Sequence, residues 1–442
     1  MAYDSDFDVD DWPAIVVDNG SGFIKYGMAG DDLPKSVFSS VVGRYPHHHW
    51  QVGDDHRDVI SAMSSDEEDG PDTLVIDNGS GKIKAGFAGN KTVSAVFPSC
   101  VGRSTKKAAG DGRATYVGDD AQRRRATLSL HYPIEHGVVS DWDDMETIWR
   151  YLLLDEMRVD SGVHPVLMTE PPLNPLYNRE KMAQVLFEKF HIPALYVAVP
   201  ALLSLYASGR VTGFAVESGA SNTHALAVYE GYCIKSATSR TSLAGREITS
   251  YLTRLLNERR YSFATTGERE IVREIKERLC YVAPDFEAES SSSASAASET
   301  SFELPDGQRL TMGKESFTCL EAMFRPSLLH SDHELGIADI VHRGIQTCNH
   351  DIRARLYQEV VLTGGNTMHR GFGERMTREL KERIPGTDVK VIAPPERRSS
   401  VWIGGSILGS LSNYKGMWIS KSTYEEYGPT AVRRFAVFDP ES

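Results

Sequence analysis

The chain has 442 residues, of which 40% are hydrophobic and 25% are charged, as in a protein of two or three domains with a sizeable core. The 61 acidic residues outnumber the 48 basic ones, and the formal net charge is −13. This diffuse acidic balance argues against direct nucleic-acid binding, which uses clustered lysine and arginine. The longest apolar stretch, 193–205, is interrupted by Pro200 and is too short to span a bilayer, so we expect no membrane segment.

The cysteines and the first residues indicate a reducing compartment. The five cysteines are far apart and form no CxxC pair: Cys100, Cys233, Cys280, Cys319 and Cys348. Their odd number and their spacing argue against a disulfide framework or a zinc site. Residues 1–8 are acidic and lack the apolar core of a secretory signal peptide. We therefore expect reduced thiols and a location in the cytosol or the nucleus.

The opening of the chain is partly duplicated. Residues 15–30 read IVVDNGSGFIKYGMAG and residues 74–89 read LVIDNGSGKIKAGFAG, with eleven of sixteen positions identical at an offset of 59. The stretch 61–72 between the copies is small, acidic and ends in Gly-Pro, which is typical of a solvated linker. The first copy covers only a strand-turn-strand unit and its continuation, which cannot close a core alone.

The rest of the chain shows a mixed α/β pattern. Short apolar runs at 74–76, 214–216 and 360–362 end at glycine-rich turns, as buried strands do. Amphipathic segments predict helices over 178–190, 243–258, 268–281 and 371–383. A Ser/Ala-rich stretch, 290–298, predicts a surface loop. Strands that alternate with helices indicate α/β layers.

One glycine-rich turn has the composition of a phosphate site. The chain has no GxxxxGK[ST] motif, so it is not a P-loop protein. Residues 77–84 read DNGSGKIK, and glycines there let successive backbone N–H groups form an anion-binding nest. Ser80 adds a hydroxyl donor, Lys84 adds a charge, and Asp77 is a candidate ligand for hydrated Mg²⁺. By itself the same pattern is also that of a plain hairpin turn.

Later motifs occur in a characteristic order. They are YPIEHG at 132–137, WDDME at 142–146, PLNP at 172–175, LSLYASGR at 203–210, LCYVA at 279–283 and WIGGSIL at 402–408. Together they resemble the actin family, from about residue 74 to residue 438. The resemblance implies an actin/Hsp70/sugar-kinase-like α/β fold, in which two facing RNase H-like domains bind ATP or ADP with Mg²⁺ in a cleft.

The resemblance also implies a domain layout. An extra N-terminal segment takes 1–71, subdomain 1 takes 72–98, 133–207 and 400–442, and subdomain 2 takes 99–132. Subdomain 3 takes 208–243 and 333–399, and subdomain 4 takes 244–332.

Two phosphate hairpins and an adenosine-binding side follow from the same resemblance. The first hairpin would supply Asp77, Gly79, Ser80, Gly81, Lys82 and Lys84, and the second would supply Glu217, Gly219, Ala220 and Ser221. The adenosine side would supply Gly245, Arg273, Lys276, Glu277, Gly364, Gly365, Asn366, Met368 and Arg398, the last where the family usually has lysine. Asp77 and Glu217 are the expected metal ligands. No catalytic residue is assigned.

Three departures from the family pattern bear on function. Pro200 stands where actins place a glutamine that orients the attacking water, and proline has no side-chain donor or acceptor. Ala220-Ser221 replaces Asp-Gly in the second hairpin, which removes a carboxylate and strains the turn if Ser221 needs a positive φ. The loop 104–115 reads STKKAAGDGRAT and lacks the apolar residues that polymerising actins insert into a neighbour. A proline at the first position of a helix leaves the fold intact.

The sequence leaves more than one class of function open. The leading hypothesis is a nucleotide-binding structural subunit of a larger assembly, cytoskeletal, axonemal or nuclear, with impaired hydrolysis and poor self-polymerisation, whose protein partners include actin or actin-related subunits. The rival is a conventional filament-forming ATPase. A sugar or acetate kinase is disfavoured because the continuous similarity is to actin. The first copy is an extension that docks on a partner's sheet edge, a hairpin exchanged between subunits, or a weakly ordered remnant.

Overall fold

The computed structural model describes residues 72–104, 115–291, 300–329, 335–411 and 417–435, together with the backbone of three strands nearer the N-terminus. The chain divides into two compact units, Met1–Ser65 and Asp66–Ser442, and each is described here by itself. Of the basic loop 104–115, residues 105–114 lie outside the described residues. So do most of the Ser/Ala-rich stretch, at 292–299, and most of the acidic linker.

The first unit contains a three-stranded antiparallel sheet in the order β1-β2-β3. Its strands are β1 (Ile15–Asn19), β2 (Phe23–Met28) and β3 (Ser36–Ser39). The strand-turn-strand unit predicted from the first copy is confirmed, and a third strand continues it.

The second unit contains the remaining eighteen described strands. They are β4 (Leu74–Asn78), β5 (Lys82–Phe87), β6 (Ala95–Pro98), β7 (Val101–Ser104), β8 (Thr115–Val117), β9 (Leu128–His131), β10 (Ile134–Glu135), β11 (Val138–Val139), β12 (Val166–Thr169), β13 (Ala194–Ala198), β14 (Gly213–Ser218), β15 (Thr223–Tyr229), β16 (Tyr232–Thr241), β17 (Thr300–Glu303), β18 (Arg309–Met312), β19 (Val360–Thr363), β20 (Val391–Ile392) and β21 (Ile419–Ser420).

Thirteen α-helices are described in the same unit. They are α1 (Gly118–Arg123), α2 (Trp142–Tyr151), α3 (Leu176–Glu188), α4 (Pro200–Ala207), α5 (Gly245–Glu258), α6 (Thr266–Leu279), α7 (Phe286–Ser291), α8 (Glu315–Glu321), α9 (Ile337–Thr347), α10 (His350–Gln358), α11 (Phe372–Arg383), α12 (Ser400–Gly409) and α13 (Lys421–Tyr427). A π-helical turn, Leu152–Glu156, follows α2, and 3₁₀ turns cover Pro326–Leu329, Gly365–Met368 and Gly428–Phe435.

Two large sheets repeat one topology. The first has the order β21-β13-β12-β4-β5-β6 and the second has the order β16-β15-β14-β19-β20. In each, three antiparallel strands that follow one another in the chain are continued by two parallel strands from later in the chain. Each sheet has its own apolar core, one around Trp149 and Met145 and the other around Phe214 and Phe372. The α/β prediction with two similar domains is therefore confirmed.

Local sequence explains why these elements form. β12 reads VLMT and all four residues are buried, because both faces of the sheet are covered there: Val166 and Met168 belong to one apolar core and Leu167 to another. α6 begins with a capping box in which Thr265 and Glu268 each bond the other's backbone N–H. Pro200 occupies the first turn of α4, as the sequence predicts, where its missing N–H is not needed. The four helices predicted from periodicity are present with ends within two residues of the expected ones.

Glycines allow α4 and α12 to cross with their backbones in contact. A Cβ added at Gly404 would lie 1.8 Å from the Leu203 carbonyl oxygen. The indole N–H of Trp402, two residues earlier in the helix, donates to the Val75 carbonyl at 3.2 Å and ties α12 to β4. This packing fixes α4, and with it Pro200, at the end of the first sheet.

Candidate functional site

Strands from both large sheets end at one cavity of about 360 Å³. The carboxyl ends of β4, β12 and β14 contribute Asp77, Thr169 and Glu217, and Gly364 follows the carboxyl end of β19. The N-terminus of α5 and one face of α6 complete the wall. In α/β folds the carboxyl ends of parallel strands are where ligands bind, and the volume suits a nucleotide-sized molecule.

The β4–β5 turn is built for close approach. A Cβ at Gly79 would lie 2.5 Å from the Lys82 carbonyl oxygen, and a Cβ at Gly81 would lie 2.7 Å from the Cβ of Ala220. Neither Gly79 nor Gly81 has a left-handed φ. Gly79 is therefore required by the close approach of its own hairpin's backbone, and Gly81 by the nearness of the opposite hairpin, rather than by a left-handed backbone.

Asp77 lies at the base of this turn in a hydrogen-bonded setting. The Lys84 ammonium donates to its Oδ2 at 2.6 Å, and the Thr169 hydroxyl donates to its Oδ1 at 3.3 Å. The same hydroxyl accepts from the Asn78 backbone N–H at 3.0 Å, which joins β4 to β12. The charge of Lys84 is thus paired with the Asp77 carboxylate rather than left open to the cleft.

The β14–β15 turn closes with two residues, Ala220 and Ser221. The Gly219 N–H donates to the Asn222 carbonyl at 3.0 Å across the turn. Neither Ala220 nor Ser221 has a positive φ, so the strain that the sequence suggested for a serine here is absent. The replacement of Asp-Gly has therefore changed the chemistry of this turn while leaving its backbone unstrained.

A pair of polar side chains near this turn is left without partners. Among the described residues, Oε2 of Glu217 and both ring nitrogens of His224 make no hydrogen bond, and His224 Nδ1 lies 4.0 Å from Glu217 Oε2. Burial, with the nearby Asp77 carboxylate, raises the pKa of Glu217 to about 8. Burial, with Arg240, lowers the pKa of His224 to about 3, so both groups are uncharged at pH 7.

The two carboxyl groups fit a divalent cation. The Asp77 carboxylate accepts from Lys84 and Thr169, and Glu217 has an unpartnered oxygen among the described residues that line the same cleft. Buried polar atoms without partners are rare and mark places where a ligand supplies the missing interaction. Mg²⁺ prefers carboxylate oxygens together with water and phosphate, and its charge would favour the ionised form of Glu217.

Arg246 joins the two hairpins. Its backbone N–H donates to the Ala220 carbonyl at 2.7 Å, and its guanidinium donates to the Ser80 carbonyl at 2.8 Å and to the Ile134 carbonyl at 3.0 Å. The guanidinium carbon lies 4.7 Å from the ring centre of Tyr132, within cation–π distance. This one residue therefore connects the walls of the cleft.

The side of the cleft formed by α6 is cationic. Lys276 is almost fully buried, its ammonium donates to the Gly245 carbonyl at 2.6 Å, and burial lowers its pKa to about 8. Burial lowers the pKa of Lys82, Glu277 opposes this, and Arg273 and Arg398 lower the pKa further. Cations that lower one another's pKa repel each other, and a bound anion would relieve that repulsion.

Glycines also shape the turn after β19. Gly364 has a φ of +90°, and a Cβ there would lie 2.3 Å from the Ser218 carbonyl oxygen. Gly365 faces open space, with no atom of the described residues within 4 Å of an added Cβ. Asn366 is buried and donates to the Ser218 hydroxyl at 3.0 Å, which ties this turn to the second hairpin.

A family model for actin matches the chain twice, over residues 9–70 and over residues 68–436. The chain belongs to the actin family. The second match covers both large sheets and the cleft, so the resemblance stated from the motifs is confirmed. The first match covers the duplicated opening, which is thus a second, partial actin sequence in the same chain.

Most of the residues expected from the actin resemblance line this cleft. They are Asp77, Gly79, Ser80, Gly81, Lys82, Lys84, Glu217, Gly219, Ala220, Gly245, Arg273, Lys276, Glu277, Gly364, Gly365, Asn366 and Arg398. Two expected residues are not in its lining as described. Ser221 is buried within the β14–β15 turn, its hydroxyl without a partner among the described residues, and Met368 is half-buried at the end of the 3₁₀ turn.

Other residues of the actin cleft were missed from the sequence. Thr169 and His224 line it, as does Tyr132, which donates to Glu270 Oε1 at 2.8 Å. Thr169 ends a buried apolar run, and a hydroxyl residue at the carboxyl end of a strand was an available signal. His224 interrupts the apolar run of β15, where an unpartnered histidine is unusual enough to be noticed.

Pro200 lies in the cleft wall where the actin resemblance places a glutamine. It is buried, begins α4 and lines the same cavity as Glu217 and His224. The neighbouring hairpin presents the methyl group of Ala220. No helix among the described residues is long and apolar enough to cross a membrane.

Proposed function

We propose that this actin-family chain binds ATP or ADP with Mg²⁺ in the cleft and serves as a structural subunit of a larger assembly. It hydrolyses the nucleotide poorly and forms homofilaments poorly. The observation that carries the proposal is the pairing of two glycine-rich hairpins in contact, Gly81 against Ala220, beside a cationic wall.

Nucleotide binding is supported by complementary charge. The cations Lys82, Arg273, Lys276 and Arg398 favour phosphate groups, while Asp77 and Glu217 are available to hold Mg²⁺ beside them. Gly365, with open space around it, leaves room for a planar group against the backbone. When bound, Mg²⁺ would neutralise phosphate charge; the side chains named here would position it.

Weak hydrolysis is supported by what the cleft wall lacks. Phosphoryl transfer depends on placing the attacking water and on electrostatic stabilisation. Pro200 has no side-chain donor or acceptor to place a water, and Ala220 has no carboxylate. His224, which lines the same cavity, is neutral at pH 7.

The subunit role is supported by sequence features outside the cleft. The loop 104–115 carries Lys106, Lys107 and Arg113 and no large apolar side chain. Burying a lysine without a partner in an apolar groove is costly, so the loop disfavours a tight homotypic contact. We propose protein partners, including actin or actin-related subunits, in a cytoplasmic or cytoskeletal assembly, with the axoneme and the nucleus as alternatives.

The alternative is a conventional filament-forming actin with ATPase activity. It is favoured by the intact first hairpin, where Asp77, Lys84 and Thr169 form a complete hydrogen-bonded group. The two proposed functions differ in the rate of ATP hydrolysis and in polymerisation, whereas both include nucleotide binding.

Nucleotide binding is tested on the purified chain. Denatured and deproteinised samples should release adenine nucleotide, and Mg-ATP should raise the melting temperature. Arg398→Ala, in the cleft wall, should reduce retention several-fold, whereas Arg343→Ala, on an exposed face of α9, should not. A nucleotide-free protein that shows no thermal shift with Mg-ATP would refute the proposal.

A further inference from the structure

The duplicated opening forms the same ladder twice. In the first unit β1 pairs with β2 from Ile15↔Met28 to Asn19↔Ile24. In the second unit β4 pairs with β5 from Leu74↔Phe87 to Asn78↔Ile83, so every pair is displaced by 59 residues. The third strands β3 and β6 occupy equivalent places as well. The two copies thus share strand order and register.

The edge of the first strand that faces away from its hairpin partner is used differently in the two copies. In the second unit the outer edge of β4 carries β12 in parallel, with Val166↔Leu74 and Met168↔Ile76. Among the described residues no strand pairs with the corresponding edge of β1, which ends its sheet. An open strand edge is a template for pairing with another chain.

The hydrogen bonds of β4 show which amides of β1 belong to that edge. The Leu74 N–H donates to the Pro165 carbonyl at 2.8 Å and the Asn78 N–H donates to the Thr169 hydroxyl at 3.0 Å. Amides alternate along a strand, so the N–H of Ile76 also faces β12. With the offset of 59, the outward amides of β1 are those of Ile15, Val17 and Asn19.

The first copy is not a replacement for the second. Ala85 is fully buried in the core of the first large sheet, and Tyr26 takes its register position in β2. A phenol ring does not fit into space that is packed around a methyl group. This argues against an exchanged hairpin and leaves the edge of β1 for an outside strand.

We propose that the outer edge of β1 accepts an extended apolar segment of a partner protein as a parallel strand, in the register that β12 takes on β4. The segment is an aliphatic run ended by a hydroxyl residue, as in Val166–Thr169. The β12 strand of a second copy is not the occupant, because it is paired on both edges within its own chain. The inference rests on the proposed role as an assembly subunit and names the chemistry of the partner.

The test uses the full chain and a labelled peptide with the sequence of residues 163–171, VHPVLMTEP, as a stand-in for the partner strand. Fluorescence anisotropy should show saturable binding. In a parallel ladder the Leu167 N–H faces β4 and the Met168 N–H faces β13. N-methylation at Leu167 should therefore weaken binding about tenfold, which corresponds to one or two lost backbone hydrogen bonds, and N-methylation at Met168 should leave it unchanged.

Two variants of the chain test whether the peptide binds at the outer edge of β1. Val17→Pro removes an outward amide and should weaken peptide binding about tenfold, whereas Val17→Thr keeps both the amide and the β-branched side chain and should bind normally. The N-methylated peptides address the same contact on the unaltered chain, so the test stands even if Val17→Pro disturbs the first unit.

Three results would overturn the inference. The first is absence of peptide binding to the full chain. The second is equal binding of the two N-methylated peptides or of the two Val17 variants, which would place the peptide elsewhere. The third is self-association of the chain that Val17→Pro abolishes, which would make a second copy the occupant. Nucleotide content is measured in the same samples, so a failure of nucleotide binding is recognised separately.

Discussion

At the scale of single residues, Pro200 is the clearest departure that affects chemistry. It lines the cleft together with Glu217 and His224 and is the first residue of α4, a position where the helix also accepts residues other than proline. Pro200→Gln should therefore fold and should raise the rate of phosphate release by about tenfold, less than a full recovery because Ala220 remains. Pro200→Ala is the matched control and should leave the rate unchanged. Equal rates in both variants would show that Pro200 is not what slows the reaction.

His369 is the residue whose titration gives a separable effect on stability. It lines the cleft, and burial with the nearby Lys276 lowers its pKa from 6.5 to about 4, although its bond to the Cys280 carbonyl opposes this. Between pH 6.5 and about pH 4 this histidine is protonated in the unfolded chain but neutral in the folded chain, so the free energy of unfolding falls as the pH falls.

The variant His369→Asn, which keeps a donor for Cys280, removes this dependence. Between pH 7.5 and pH 5 the parent should lose about 2 kcal/mol more unfolding free energy than the variant, measured by urea denaturation. Parallel pH profiles for the two proteins would contradict the assignment.

The limits of sequence reasoning are visible in individual residues. Asp77 and the glycines of the first hairpin were found because a phosphate-binding turn has a local composition. The pairing of Lys84 with Asp77 was not foreseen, since it depends on the register of β4 and β5. Thr169 and Arg246 reach the cleft from distant segments, and only the folded sheets bring them beside Asp77 and Ser80.

At the scale of elements, the crossing of α4 and α12 depends on Gly404. A methyl group there would meet the Leu203 carbonyl, so Gly404→Ala should force the helices apart and cost about 1–3 kcal/mol or more. Gly373→Ala is the matched control in α11, because its Cβ would make only an ordinary contact with Ala393 and the helix would gain propensity. A melting temperature that is equal in the two variants would contradict this account of the packing.

Element prediction succeeded where the signal was periodic and local. α5, α6 and α11 follow amphipathic patterns, and capping by Thr265 sets the start of α6. The pairing of β12 with β4 could not be predicted from either strand alone, because both are continuous apolar runs that fit any buried position. The sequence predicts strain in the second hairpin only if Ser221 has a positive φ, and neither Ala220 nor Ser221 has one.

At the scale of the whole molecule, the division into two units predicts that the first is dispensable for folding. Both large sheets and their cores are formed by residues from Leu74 onward. Deletion of residues 1–71 should leave a monomer with an unchanged melting temperature and bound nucleotide, while recovery of its assembly partners falls. Global unfolding of the truncated chain would contradict the division.

The basic loop 104–115 makes a second prediction at this scale. Under polymerising salt the pure chain should stay in the supernatant, because the loop offers no large apolar side chain, each worth about 1.5–3 kcal/mol on burial. Replacing 105–114 with an apolar loop of equal length tests the cause and should increase pelleting. Pelleting of the unaltered chain would favour the conventional actin reading.

The central claim is that the cleft holds a nucleotide which it hydrolyses poorly, and the most direct measurement is single-turnover phosphate release. The chain, loaded stoichiometrically with Mg-ATP and freed of excess, is compared with a conventional actin under the same conditions. Loss of the side chain that positions the water predicts release slower by about 10²–10³-fold while ATP stays bound. Release at the rate of the conventional actin from a fully loaded sample would contradict the account.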